Sequence, residues 1–188
     1  MRANAKPGET ILVHGASGAV RIACVQLARH MGLKVIGTAG SKAGMDLVNA
    51  NGADIVIDHK SEGYTQKIMD VTNGDGPDII IEMLANVNLE KDLTMISKKG
   101  RIVNVGSRGT IEISPRFTLG KECIVTGVMI LNCTPSEWKE LHAAIQAGMR
   151  TGWVNPHVGK IYSLDKAGDA HRDIINNSGS QGKLVIKL

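Results

Sequence analysis

Short runs of branched aliphatic residues recur between Thr10 and Val105, and apolar positions three or four apart fill the intervals between them. The runs Ile11–Val13, Val35-Ile36-Gly37-Thr38, Ile55–Ile57, Ile79–Ile81 and Ile102–Val105 do not alternate with polar residues. That is the pattern of strands buried on both faces. Val20, Ala23, Cys24, Leu27 and Met31 share one face of a first helix, which Gly32 stops. Ser41 is a fair N-cap for a second helix through Val48 that stops near Gly52. A third helix carries Tyr64, Ile68 and Met69 and ends in the turn 73–77. A fourth lies within Asn86–Ile96, and Lys98-Lys99-Gly100 closes it with positive charge at its C-terminal end. Further on, Cys123–Ile130 reads as a sixth strand. Pro135 opens a helix to about Met149 with Trp138, Leu141, Ile145 and Met149 on one side. Asp165 caps another helix to about Asn176, and Leu184–Leu188 is a last short strand.

Strands that alternate with helices give a parallel sheet covered on both faces. The expected fold is therefore α/β: a Rossmann-type, doubly wound, parallel six-stranded sheet with helices on both faces, in a single domain over 1–188. At 188 residues the chain is long enough for one good core. With aromatics at only 3%, that core must be aliphatic. The net charge of +4 suits anionic ligands, but no block of like charge marks a nucleic-acid surface. The three cysteines, Cys24, Cys123 and Cys133, are odd in number and widely spaced, which argues against a disulfide framework and a zinc site. Reduced thiols in a cytoplasmic protein are expected. No apolar run approaches the ~20 residues of a membrane span, and the N-terminus has no signal-peptide core.

The candidate chemistry starts at Gly15-Ala16-Ser17-Gly18, between the first strand and the first helix. Such a turn aims free backbone N–H groups and the positive end of the helix dipole at one point, which suits a phosphate. An NAD site usually has Asp or Glu at the end of the second strand, to hold the ribose hydroxyls. Here the segment Gly37-Thr38-Ala39-Gly40-Ser41-Lys42 has no carboxylate before Asp46. Ser41 and Lys42 tolerate or attract a 2′-phosphate, so the expected cofactor is NADPH rather than NADH. Lys42 is equally readable as a solvated first-turn lysine. Asn86 to Asn88 and Val105-Gly106-Ser107-Arg108 follow strands four and five, where open sheets bind ligands. Arg108 is placed to meet a phosphate, and Gly106 to let backbone approach a ring. No nucleophile elbow and no paired-histidine metal spacing occurs. No catalytic side chain and no metal ligand is assigned. The six histidines are scattered and read singly as surface or helix-end residues. His59, at the mouth of strand three, is the exception. Trp138 and Trp153 read as packing.

Four stretches, His14–Gly18, Gly37–Gly40, Ile81–Leu89 and Val105–Ile113, closely resemble the zeta-crystallin family of quinone oxidoreductases, in the zinc-free medium-chain dehydrogenase/reductase superfamily. The likeness extends to Gln146-Ala147-Gly148 and Gly182-Lys183. The resemblance implies an oxidoreductase that passes hydride or electrons from NADPH to a quinone. It places the pyrophosphate loop on Ser17, Gly18, Ala19 and Val20, and the adenosine 2′-phosphate region on Gly40, Ser41 and His59. The nicotinamide side falls on Asn88, on Val105, Gly106, Ser107 and Arg108, and on Val128, Met129 and Ile130. No side chain need act as acid or base; the protein holds the nicotinamide against the acceptor. The family also implies a homodimer or homotetramer through the sheet-edge strand near 124–129. Its other known roles, binding of AU-rich RNA and a structural lens function, stand as the alternative.

Two departures from the family pattern follow. The chain lacks the N-terminal catalytic lobe that forms the other wall of the quinone cleft. Residues from about 160 onward are expected to pack toward that lobe, and activity of the isolated chain is in doubt. The family also has glycine where this chain has Ala19 and Arg21. The glycine at position 21 lets the helix lie close on the sheet. Arg21 must swing the helix outward or thread its side chain away, and it either reaches the pyrophosphate or loosens the grip on it.

Overall fold

The computed structural model describes residues 2–176 and 181–188. The expected domain 1–188 therefore includes Met1 and residues 177–180, which lie outside the described residues. In chain order the elements are β1 (Thr10–Val13), α1 (Ala19–His30), β2 (Lys34–Ala39), α2 (Lys42–Ala50), β3 (Ile55–Asp58), α3 (Tyr64–Val71), β4 (Ile79–Glu82), α4 (Ala85–Met95) and β5 (Arg101–Asn104). They continue with α5 (Arg116–Lys121), β6 (Ile124–Gly127), α6 (Pro135–Thr151), β7 (Val158–Ser163), α7 (Ala167–Asn176) and β8 (Lys183–Lys187). The first six strands form one parallel sheet in the order β3-β2-β1-β4-β5-β6. Strand order reverses between β1 and β4. Right-handed crossovers from those two neighbours leave on opposite faces, so a crevice opens between their C-terminal ends.

The unbroken apolar runs have the reason the pattern predicted. Successive residues of a strand point to opposite faces, and both faces are covered. Ile11, Val13 and Val35 pack with Ile22, Val25 and Val48 of α1 and α2. Leu12, Ile36, Ile80 and Ile102 pack with Ile68, Leu93 and Ile96 from the side of α3 and α4. The expected doubly wound parallel sheet is the observed one.

Beyond β5 the structure corrects the sequence reading. The sixth strand is only Ile124–Gly127, and Ile130–Asn132 form a short 3-10 turn instead of continuing it. A short helix, α5, and a strand, β7, stand where neither was expected. β7 pairs in parallel with β8 as a separate two-stranded sheet. Asp165 lies inside a 3-10 turn, Leu164–Lys166, that Ser163 precedes, and it does not cap α7. α6 starts with a capping box in which the Thr134 hydroxyl accepts from the Glu137 N–H and the Glu137 carboxylate accepts from the Thr134 N–H. The expected apolar side of α6 is open in part: Ile145 is 46% and Met149 60% exposed, while Trp138 and Leu141 are half-buried.

One contact ties this last region to the first turn. The Gly182 N–H donates to the Ser17 carbonyl at 3.1 Å, and Gly18 and Gly182 form an isolated parallel bridge.

Candidate functional site at the carboxyl end of the sheet

Strand β2 holds the glycine turn. The Ala16 N–H donates to the Thr38 carbonyl at 2.6 Å, and the Gly15 N–H donates to the Thr38 hydroxyl at 2.9 Å. Gly15 sits at φ +55°, where a side chain is strained. Gly18 is the N-cap of α1 and no side chain caps it, so the first-turn N–H groups are left for a ligand. The His59 ring reaches the same Thr38 hydroxyl through Nδ1 at 3.3 Å. Burial holds the His59 imidazole below its ordinary pKa, against the pull of Asp58. Across from it Gly40 has no room for a side chain, because a Cβ there would lie 2.7 Å from His59 Nε2. Loop, strand end and His59 together wall a cavity of about 370 Å³, whose other side is Tyr64, Glu82, Leu84 and Asn88.

Beneath this floor lies a buried charged cluster. His14 Nε2 is 2.8 Å from Asp92 Oδ1 and 3.9 Å from Glu82 Oε2. His14 is 5% exposed, and Glu82 and Asp92 are fully buried. Burial opposes charge on His14, but the hydrogen bond and charge of Asp92, with Glu82 behind it, win and raise its pKa. Burial also raises the pKa of Glu82, and the charge of Asp92 adds to it. Glu82 is positioned by the Leu84 N–H and by Asn88 Nδ2, which donates to both its oxygens at 3.2 and 3.3 Å. Asp92 Oδ2 has no partner. His14 is thus not the surface histidine expected. It is the buried histidine of a triad that links the C-terminal ends of β1 and β4 to α4.

The expected site residues are distributed as follows. Ser17, Gly18, Ala19 and Val20 form the turn and the first positions of α1, and Gly40 and His59 meet at the second strand. Ser41 caps α2 by accepting from the Gly44 N–H at 3.1 Å. Lys42 turns outward and pairs with Asp46 at 2.8 Å, as a solvated first-turn lysine does. Asn88 lines the cavity while bonded to Glu82. Gly106 needs its missing side chain for a reason the sequence did not show: a Cβ would lie 2.7 Å from the Met83 carbonyl. That crowding locks the β5 exit to the β4 exit, where the Ala85 N–H donates to the Gly106 carbonyl at 3.0 Å. The Asn86 side chain then accepts from the Arg108 N–H at 2.9 Å and the Ser107 hydroxyl at 3.4 Å, so Ser107 and Arg108 are held beside α4. Val105, Met129 and Ile130 are exposed and do not line the cavity, and Val128 follows β6 with its N–H on the Asn104 carbonyl at 3.0 Å. Cys24 is a packed thiol that burial pushes up to about 11.

Thr38, Tyr64, Glu82 and Asp92 escaped the sequence reading. One signal was available for Asp92: it shares a helical face with Leu89, Leu93 and Ile96, and a carboxylate in an apolar stripe needs a buried partner. Arg21 is half-buried. The helix that carries it stays against the sheet, with Ile22 and Val25 buried, and the side chain runs back over the turn.

An uncapped helix that begins at a glycine turn, at the switch point of a parallel sheet, defines a Rossmann-type α/β domain. A family model described as zinc-binding dehydrogenase matches residues 19–147, and the chain belongs to that family. It is 50% identical over 183 residues to the quinone oxidoreductase of Homo sapiens, covering 97% of this chain and 56% of that protein. It is also 50% identical over 188 residues to that of Mus musculus, covering 99% and 57%. The chain thus spans little more than half the length of these relatives. A solved quinone oxidoreductase of Escherichia coli, complexed with NADPH, superposes with a TM-score of 0.86 at 23% identity, covering 98% of this chain and 59% of that one. That likeness is one of fold.

The family's zinc finds no fitting ligands among the described residues. The three cysteines are free and separate. The His14, Glu82 and Asp92 group is close enough to hold an ion. However, His14 Nε2 already bonds Asp92, and the raised pKa favours the protonated imidazole, which binds no metal. Among the described residues no helix is long and apolar enough to cross a membrane.

Proposed function

We propose that the chain is the NADPH-binding part of a quinone-reducing oxidoreductase. The observation that carries this reading is the pairing of two features at one crevice. The uncapped α1 N-terminus is held by Thr38, and the neighbouring strand exit at Gly40 and Ser41 carries no carboxylate. The first receives a diphosphate, and the second leaves room for a 2′-phosphate where a carboxylate would repel it. Gly40 backs onto the His59 ring and the Lys60 side chain, an imidazole and a cation that suit the phosphorylated adenosine end of such a cofactor. The relatives named quinone oxidoreductase, at 50% identity, support the substrate class. Bound there, the cofactor supplies a hydride to the acceptor. Ser17 to Val20 anchor its diphosphate, Gly40, Ser41 and His59 seat its phosphorylated ribose, and Asn88, Val105 to Arg108 and Val128 to Ile130 orient its reactive ring.

The open surfaces fit the rest of the reading. Ile124 and Val125, on the sheet-edge strand β6, are 56% and 37% exposed, the state of an edge that pairs with a second copy. Ile145, Met149, Ile161 and Leu164 form further uncovered apolar surface, which a separate catalytic lobe would cover. Calorimetric titration with NADPH and NADH tests the cofactor. Saturable binding that favours NADPH is expected, and no heat with either nucleotide at millimolar concentration would sink the reading. Salt-sensitive RNA binding that NADPH displaces would point to the RNA-binding alternative.

A further inference from the structure

The second glycine of a dinucleotide turn is bare so that backbone can approach the pyrophosphate. In this chain a side chain already lies on that bare face. A Cβ on Gly18 would be 3.0 Å from Arg21 Nη1, and one on Gly15 would be 3.4 Å from Nη1 and 3.5 Å from Cζ. The guanidinium therefore covers both glycines at once, at the mouth of the cavity shared by His14, Thr38 and Glu82. Its environment explains why it stays. A guanidinium is weakly hydrated and tolerates partial burial. Burial disfavours its charge and Arg108 repels it, while the charge of Glu82 attracts it.

We infer that Arg21 is an internal occupant of the diphosphate seat: its guanidinium lies on the bare faces of Gly15 and Gly18 and must leave them before a dinucleotide reaches the turn. The inference rests on the NADPH reading above. An arginine that clamped a phosphate would stand beside the ligand and leave the turn open. Here the cation lies on the bare faces of the turn itself, where a diphosphate would have to come. The obstacle is local. Gly40, Ser41 and His59 lie at the neighbouring strand exit, and the side chains against Gly40 are those of His59 and Lys60, so a nucleotide with a 2′-phosphate but no diphosphate does not have to displace Arg21. The chain therefore discriminates between the adenosine 2′-phosphate fragment and the whole cofactor, in a way that a glycine at position 21 would not.

The test is calorimetric titration of the 188-residue chain and of its Arg21→Gly and Arg21→Ala variants with NADPH and, separately, with adenosine 2′-monophosphate. Both variants should bind NADPH about tenfold more tightly than the parent, a gain of ~1.4 kcal/mol, with the affinity for the monophosphate unchanged. The alanine variant guards against an effect of glycine flexibility in α1. If both variants bind the monophosphate normally and NADPH no more tightly than the parent, the guanidinium is not an obstacle and this inference alone is overturned. If parent and variants bind neither ligand, the NADPH reading falls and takes the inference with it.

Discussion

Residues 10–104 and residues 116–188 use apolar side chains in opposite ways. In the first region Leu12, Ile36, Ile80 and Ile102 are fully buried between two helical layers. In the second, Leu131 is 83%, Ile175 73% and Ile161 62% exposed, and Ile145 and Met149 of the expected α6 stripe are open while Trp138 and Leu141 are half-buried. The first region closes its core within the chain. The second has the periodicity of buried elements without the cover. Helical and strand spacing thus records where a face is meant to be buried, not whether the same chain buries it. Under the proposed function, a catalytic lobe and a second copy of the chain would supply that cover.

Substitutions can break or sharpen this contrast. The largest effect is expected at the triad under the glycine turn. Asp92→Ala removes the partner of a buried histidine and should cost ~3–5 kcal/mol in urea unfolding; a loss below ~1 kcal/mol would mean that the charged cluster does not hold β1 and α4 together. Next comes one kind of truncation made in both regions. Leu12→Ala leaves a cavity in a core that cannot collapse and should cost ~2–5 kcal/mol, whereas Ile175→Ala, at 73% exposure, should stay within ~0.5 kcal/mol. Equal losses would show that the second region is buried in solution, most simply by self-association, which sedimentation would reveal.

The smallest effect is a pH dependence confined to the first region. His14 has a folded pKa above its ordinary value of 6.5, so its contribution is full below that value and is lost as pH rises through the folded pKa. Glu82 has a folded pKa raised above 4.5 by burial and by Asp92, so ionising it on the way up also disfavours the fold. Both signs agree: the thermal midpoint should fall as pH rises above the ordinary histidine value of 6.5, and His14→Gln should flatten the slope. A slope that survives in the variant would assign the titration elsewhere.

The first region was legible because its strands are buried on both faces and its helices are punctuated by Gly32, Gly52 and Gly100. Local pattern and tertiary burial agree in the strands; in α1 they do not, since Val20, Leu27 and Met31 of the expected face are exposed and Ile22, Val25 and Ala28 are buried instead. The Ser41 cap and the glycine turn were visible because both are local. The triad was not, because His14, Glu82 and Asp92 are brought together by the β1–β4 pairing and the packing of α4, not by spacing along the chain. Thr38 was hidden similarly: its role is a hydroxyl facing a turn on the neighbouring strand. Past β5 the reading weakened at β7, which pairs with β8 in a sheet of its own, away from the main sheet.

The bridge between Gly18 and Gly182 sets an order of assembly. Synthesis runs from the N-terminus, so β1, its turn and α1 emerge long before Gly182 can reach the Ser17 carbonyl. The turn must therefore be shaped first by Thr38, from the next strand out, and secured by the C-terminal segment only at the end. A ribosome-bound chain stopped before residue 182 would lack this fastening of the turn.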